Sequence, residues 1–483
     1  MITRHIAVDL GADSGRVVLG TFDGERFTMQ IVHRFANTPV RILGLLRWDL
    51  EALWAGITTG LQFACAQTAE PIASIGVDTW GVDYGLFDAA GTLIDQPVHY
   101  RAERNLTMPD KVHALVSKAE LFARSGTRGL VFNTIFQLMA EQAERPELLQ
   151  RAQRLLTMPD LFAYRLCGVQ SNEWSNAGTS GLTLAGKPAW DLELIQRLGL
   201  PTRLFGTIVP SGTVLGPVKP ELGFSAPLPQ VMAVGGHDTA SAVASMPTVE
   251  PGTAFISCGT WSLVGVLNPT PVTTDEAFTG DLSNEIAVDG RIRLLKNVMG
   301  LWVWQECRRD LLAEGHEFDH ADLAELTESA AAAHTSIDID RLELLPQSQP
   351  HDRMIDRVRK QAVELCLATT APGDLFRRIV EGLAAAYQRS RLALERATGT
   401  PITGISLMGG GCRNRLLCQL TADVTGLPVL AGPDEGTALG NLLVQARGLG
   451  LLDAAGMARV SAASSVLSTY RPRTQAERSQ TAI

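Results

Sequence analysis

Four short stretches of this 483-residue chain bring glycine together with hydroxyl, carboxylate or cationic side chains at the spacing of a tight turn. In DLGADSGR (Asp9 to Arg16), an apolar run His5-Ile6-Ala7-Val8 enters and a second, Val17-Val18-Leu19-Gly20, leaves. Gly11 and Gly15 with Ser14 between them make a turn whose backbone N–H groups, Ser14 hydroxyl and Arg16 suit a phosphate. SCGTWS (Ser257 to Ser262) repeats the arrangement with the hydroxyls of Thr260 and Ser262. Two such turns clamping one polyphosphate would account for the repetition. MGGGCRN, Met408 to Asn414, sets three glycines between a strand and a helix, where a flat group such as a base and ribose can lie on bare backbone. The helix N-terminus that follows favours negative charge.

Carboxylates in a phosphate turn need their own account. A phosphate carried as its magnesium complex requires an oxygen ligand, or a carboxylate to orient metal-bound water, because Mg²⁺ prefers oxygen and keeps several waters. Asp9, ending the first strand, is placed for that role; Asp13 is not explained by it. The fourth stretch, AVGGHDTASAV (Ala233 to Val243), puts Asp238 after an apolar strand and Gly-Gly. A sugar hydroxyl attacking a γ-phosphate must give up its proton to a carboxylate, and Asp238 is the candidate base. DTWGVDYG (Asp78 to Gly85) ends another strand and offers Gly81 and Asp83 as sugar contacts.

These turns need strands to carry them. HIAVDL, RVVLGTF and FTMQIVHRF read as three strands, the last two joined by a hairpin turn at Asp23-Gly24. WDLEALWAGITTGLQFACAQ is a helix with Leu50, Leu53, Trp54, Ile57 and Leu61 on one face, and PIASIGVDTW a further strand. From about residue 250 the pattern returns: GTAFISCGTWSLVGVL is again strand, turn and strand. A long helix ending at Gly399 follows, then the strand ITGISLMGGG, a helix over about 413–425, the strand LPVLAG, and a helix from Ala438. The repetition implies an internal duplication, with domains at 1–247 and 248–465 and a polar, weakly held tail at 466–483.

Composition narrows the class. A net charge of −9 argues against nucleic acid, which needs clustered Lys and Arg. No apolar run reaches membrane-spanning length, no signal-peptide pattern is present, and seven scattered cysteines fit a reducing, cytoplasmic setting. The partners expected are small molecules, with the chain a monomer or small homo-oligomer.

The stretches AVDLGADSGR, RWDL, IGVDTWGVDYGLFD, MPDLFAYRLCG, HDTASAV, SCGTWSLVG, LKNVMGLWVWQ, GGGCRN and TALGN occur in this order over nearly the whole chain. Together they resemble the FGGY carbohydrate kinases, and among them the members that phosphorylate L-rhamnulose at O1 with ATP. The resemblance implies an α/β protein with two ribonuclease H-like domains around a central cleft. It implies that Ala12, Asp13, Ser14, Gly15, Arg16 and Thr260 hold the ATP phosphates, and that Gln305, Gly410 and the Asn414 turn meet the nucleotide. Gly81, His237, Thr239 and Asn297 would meet the ketose, with Asp238 as base and Mg²⁺ near Asp9. The family's usual residue at position 13 is a small hydroxyl one, which makes Asp13 a departure. Kinases of L-fuculose or L-xylulose differ from this reading only in pocket residues.

Two motifs point elsewhere. GHEFDH (Gly315 to His320) contains H-E-x-x-H, but the expected helix begins afterwards, at ADLAELTESAAAA, so the two histidines would not share a helical face. GLTLAGKP (Gly181 to Pro188) nearly matches a P-loop, but Pro188 replaces the magnesium-binding hydroxyl and has no N–H. Trp302 and Trp304 read as core, and Cys258, Cys412 and Cys418 as inert thiols.

Overall fold

The structure is a computed structural model and describes residues 2–342, 353–474 and 477. By contact the chain divides into two compact units. One comprises Met1–Thr248, Leu267–Leu294 and Gly436–Ser464; the other comprises Val249–Val266, Leu295–Glu435 and Ser465–Ile483. Two segments beyond residue 248 therefore fold back into the first unit.

The first unit is built on a six-stranded sheet. Thr3–Leu10 pairs antiparallel with Ser14–Phe22, and Ser14–Phe22 pairs antiparallel with Phe27–Ala36. On its other side Thr3–Leu10 runs parallel to Ser74–Thr79, which runs parallel to Gln230–Ala233, and Thr213–Pro217 closes the edge antiparallel. Alternation along the strands gives the sheet two apolar faces. Ile6, Val8 and Val17 bury against Leu53, Ile57 and Leu61 of the helix Leu50–Ala66. Ala7 and Val18 bury with Leu439, Leu442 and Leu443 of the helix Gly436–Gly448. Leu50 is buried as the helical face requires, and Trp54 is half-buried. The helix Leu50–Ala66 starts where the Asp49 side chain accepts the Ala52 N–H at 3.0 Å, an N-cap.

The second unit repeats the order. Thr253–Cys258 pairs antiparallel with Trp261–Asn268, which is flanked by Ile292–Met299. On its other side Thr253–Cys258 runs parallel to Gly404–Met408, then Val429–Ala431 follows parallel and Ser468–Tyr470 closes the edge antiparallel. The long helix, Pro372–Thr398, has proline in its first turn and ends at Gly399 with φ +65°. Trp302 and Trp304 are buried, Trp304 against Phe376. The expected tail is tied down at its start. Ser468–Tyr470 is a paired strand, and Arg473 reaches the buried carboxylate of Asp423 at 2.7 Å. Residues 475, 476 and 478–483 lie outside the described residues. No helix among the described residues is long and apolar enough to cross a membrane.

Candidate active site

In the first unit, register decides which side chains meet. Asp9 stands opposite Arg16 across the hairpin and beside Asp78 on the parallel strand. Arg16 donates from Nε and Nη2 to Asp9 Oδ2 at 2.8 and 2.6 Å. The guanidinium expected on a phosphate is thus engaged with the carboxylate, which offsets the negative charge in the turn. The turn itself closes with the Gly11 N–H donating to the Ser14 carbonyl at 2.9 Å. Asn37 braces it, its Nδ2 donating to the Gly11 carbonyl and its backbone N–H to that of Asp13. Asp13 and Ser14 are exposed at the tip, while Ala12 is half-buried and Gly15 buried.

Asp78 escaped the sequence reading. It is fully buried; its Oδ2 accepts from Asn441 Nδ2 at 2.6 Å, and its Oδ1 has no hydrogen-bond partner. Burial, and then the negative charges of Asp9 and Asp238, push its carboxyl well above the usual range. Asp9, Asp78 and Asp238 are therefore close enough to feel one another. The paired strand ends would reveal this neighbour of Asp9 only once the parallel register is known.

The loop after Asp78 is held under strain. Val82 takes φ +70°, a conformation costing about 1–3 kcal/mol for a β-branched residue. Two threonines hold it: Thr179 Oγ1 accepts its N–H at 2.9 Å, and Thr134 Oγ1 donates to its carbonyl at 2.6 Å. Gly81 sits half-buried just before it, against Thr179. Asp83, read from the sequence as a sugar contact, does a different job. It is fully buried and accepts four N–H groups, from Trp48 (2.6 Å), Trp80 (2.9 Å), Gln137 (2.7 Å) and the Tyr100 backbone (3.3 Å). Its oxygens are thereby spent on orienting the indoles of Trp48 and Trp80, tilted 34° to one another with ring centres 3.9 Å apart.

Burial pushes Asp83 up to about 7 and Asp160 up to about 8. In the unfolded chain both titrate near 4. The folded chain thus holds more protons between those values, and stability falls as pH rises through the window. Buried His5 and His99, lowered to about 4 and about 3, act oppositely, but only below about pH 6.5, where an unfolded imidazole charges. From pH 6.5 to 8.5 the histidines no longer oppose them, and Asp83 and Asp160 together are expected to cost about 2–3 kcal/mol in urea unfolding, with the raised Asp78 and Glu173 carboxyls acting in the same direction. A flat or rising profile across that interval would contradict the raised acids.

The strand Gln230–Ala233 delivers the loop Val234–His237 to the short helix Asp238–Ala244. Buried Glu173 fixes this loop, accepting the Gly236 N–H at 3.0 Å, while the Gly236 carbonyl accepts the Thr79 N–H at 2.9 Å. Asp238 Oδ1 accepts from the Thr239 backbone N–H at 2.5 Å and Thr239 Oγ1 at 3.1 Å, and lies 3.4 Å from His237 Nε2. His237 is the N-cap of this helix and makes no side-chain capping bond, so Asp238 contributes a first-turn negative charge; its side chain stays 34% exposed while His237 and Thr239 are buried.

In the second unit, Thr260 sits half-buried in the turn, which closes with the Gly259 N–H on the Trp261 carbonyl at 2.8 Å. Ser262 points inward instead, its Oγ 2.8 Å from the Tyr387 hydroxyl. The three glycines separate into three reasons. Gly409 takes φ +83°; a Cβ on Gly411 would lie 2.2 Å from Cys258 Sγ; a Cβ on Gly410 would meet nothing within 4 Å. Gly410 is the exposed one and the surface on which a ligand can rest. Asn414 N-caps the helix Arg415–Thr425, its Oδ1 accepting the Leu417 N–H at 2.9 Å. Gln305 and Asn297 are half-buried in this unit, on the helix Trp302–Ala313 and the strand Ile292–Met299. All seven cysteines are free thiols, and burial pushes Cys412 up to about 12.

The competing motifs do not assemble. His316 precedes Asp319, which caps the helix His320–Ser329, so the two histidines do not share a helical face. Lys187 lies in a turn closed on the Leu184 carbonyl, and the next helix, Leu192–Arg197, does not start at the motif as a P-loop requires. Among the described residues no group of three or more His, Cys, Asp or Glu is arranged to hold a metal ion by itself.

The N-terminal domain model of the FGGY family of carbohydrate kinases matches residues 5–245, and the C-terminal domain model matches 254–449. A rhamnulokinase of Enterobacter sp. (strain 638) is 38% identical over 456 residues, 92% of this chain and 89% of its own. A rhamnulokinase of Bacteroides thetaiotaomicron is 36% identical over 487 residues, 99% and 97% of the two chains. Among solved structures, a xylulose kinase from Lactobacillus acidophilus superposes with a TM-score of 0.81 at 15% identity, covering 99% of this chain and 95% of its own. Plasmodium falciparum glycerol kinase with ADP gives 0.76 at 14%, covering 99% and 96%. Identities that low speak for the fold, a two-domain α/β architecture of the actin and hexokinase type, which the repeated sheet order displays. With both halves matched in order and relatives alike along almost their whole length, the chain belongs to the FGGY family of carbohydrate kinases.

Proposed function

We propose that this carbohydrate kinase transfers the γ-phosphoryl group of ATP to O1 of L-rhamnulose, giving L-rhamnulose 1-phosphate and ADP, a step in the breakdown of L-rhamnose. The observation that carries the reading is Asp238, a carboxylate kept 34% exposed while Asp78, which feels its charge, and Glu173, which holds the loop before it, are fully buried. The substrate is supported by the two relatives named rhamnulokinase.

In this reading Asp238 accepts the proton of the attacking hydroxyl as the O–P bond forms. Gly81, His237 and Thr239 orient the ketose from the first unit, and Asn297 is a further sugar contact. The backbone N–H groups of Ala12 to Gly15 and the Thr260 turn hold phosphates, and Gln305, Gly410 and the Asn414 turn hold the nucleotide. The residues present fit Mg²⁺: Asp9 and the partnerless Oδ1 of Asp78 are hard oxygen donors side by side in register. Asp9 would hold the ion through water, and the ion would supply charge neutralisation on the transferring phosphoryl.

The test is ADP release with Mg²⁺-ATP against a panel of L-rhamnulose, L-fuculose and L-xylulose. Preference for L-rhamnulose supports the reading, preference for another ketose moves the substrate, and no stimulation by any sugar overturns it. A second prediction concerns the open glycine. Gly410→Val leaves the melting temperature close to that of the parent, because a Cβ there meets nothing within 4 Å, but raises the KM for ATP about tenfold or more, because it occupies the ligand's surface. An unchanged KM would move the nucleotide off this loop.

A further inference from the structure

Two buried charged groups stand behind His237 without a role in the scheme above. Glu285, on the strand Ser283–Ile286, places Oε2 3.1 Å from His237 Nδ1 and 2.9 Å from Arg293 Nη2. The side chains of His237, Glu285 and Arg293 are 10%, 9% and 0% exposed. On the far side of the ring, Nε2 lies 3.4 Å from Asp238 Oδ1. The ring is thus bracketed by two carboxylates, one inside the protein and one at the open end.

The chemistry of the inner contact fixes a proton. A carboxylate has no hydrogen to give, so an oxygen 3.1 Å from a ring nitrogen requires that nitrogen to carry one. Arg293 Nη2 is a competing donor to Nδ1, at 3.4 Å, but its shorter contact of 2.9 Å is with Glu285. Burial raises the Glu285 carboxyl, yet Arg293 and His237 outweigh it and hold it below the usual range. Nδ1 therefore bears a hydrogen, and a ring carrying that one alone turns an accepting Nε2 toward Asp238.

Two acceptors then lie 3.4 Å apart with no hydrogen of their own to share. Such a pair is satisfied by a ligand that brings hydroxyl hydrogens to both. The buried Glu285–Arg293 pair is a poor device for stability, since desolvating two ions consumes most of their attraction. Arg293 also leaves Nε and Nη1 without hydrogen-bond partners among the described residues. What the pair supplies is orientation.

We propose that Glu285, anchored by Arg293, is a positioning residue that fixes His237 as its Nδ1–H tautomer, so that Nε2 and the Asp238 carboxylate form a two-acceptor site for a pair of substrate hydroxyls. The inference rests on the kinase reading for its substrate, a polyol whose attacking hydroxyl meets Asp238 while a second hydroxyl donates to His237.

The tautomer is read first, by long-range ¹⁵N–¹H spectra of the resting full-length protein, with His237 assigned through the signal lost in His237→Gln. This needs no substrate, so it separates failure of the inference from failure of the kinase assignment. A hydrogen on Nδ1 in the parent is expected; a hydrogen on Nε2 overturns the proposal. Glu285→Gln, which can donate as well as accept, is expected to populate the Nε2–H form and raise the ketose KM about tenfold, with the KM for ATP within twofold. In a His237→Gln background the same substitution should change the ketose KM by less than twofold, since its route of action is gone. Where Glu285→Gln fails to fold, Glu285→Leu with Arg293→Met removes both charges together, and the same two readouts apply. A ketose KM that rises equally with and without His237 overturns the positioning role.

Discussion

Asp238→Asn should lower kcat with Mg²⁺-ATP and ketose by about 10² to 10⁴, leaving the KM for ATP within a fewfold of the parent. The substitution keeps size and shape but removes a proton acceptor. An amide oxygen can still take the Thr239 N–H that Oδ1 accepts now, so the start of the helix Asp238–Ala244 survives. The structural cost is limited to a first-turn negative charge, about 0.3–1 kcal/mol. A large loss of turnover at nearly constant melting temperature would therefore assign the base. Parent-like turnover would show that another group takes the proton, and collapse of turnover together with the fold would leave Asp238 as the helix-start residue alone. The magnitude separates these outcomes, since a first-turn charge lost without chemistry changes stability by about 0.3–1 kcal/mol and kcat hardly at all.

Gly440→Ala should be among the most damaging single substitutions in the first unit. In an isolated helix the change favours folding by about 1 kcal/mol, because alanine is the better helix former. Here a Cβ would lie 1.7 Å from the Ser241 carbonyl oxygen and 2.6 Å from its carbon. The obstacle is backbone, so no side chain can rotate away, and the helices Asp238–Ala244 and Gly436–Gly448 must part. Overpacking of that kind costs several kcal/mol, here on the order of 4 or more. Parting also draws Asn441 off Asp78, and Gln445 off the Ile6 carbonyl, which it reaches at 2.9 Å. Urea unfolding decides the sign. A midpoint above the parent's would mean that the helices do not cross at this glycine.

The glycine turns, the strands around them and the carboxylate of Asp238 were legible in the sequence because each depends on neighbours within a few residues. DLGADSGR must turn where its glycines fall, and apolar alternation dictates the faces that Ile6 and Ala7 bury. What local pattern could not reach is pairing over long separations. Asp78 meets Asp9 only through parallel register, and Glu285 meets His237 from 48 residues away. Asp83 looked like a ligand contact from its place after a strand, yet burial and four N–H donors make it a scaffold.

The same distinction governs the domains. A linear cut at residue 247 follows the repeated hairpin, which the sequence by itself determines. The helix Gly436–Gly448 lies in the later half of the chain, but its apolar face and its Asn441 and Gln445 amides fit the sheet of the first unit. Hydrophobic burial has no memory of chain order. An amphipathic helix completes whichever sheet face offers matching apolar area and partners for its polar atoms, and only the folded structure reveals which one that is.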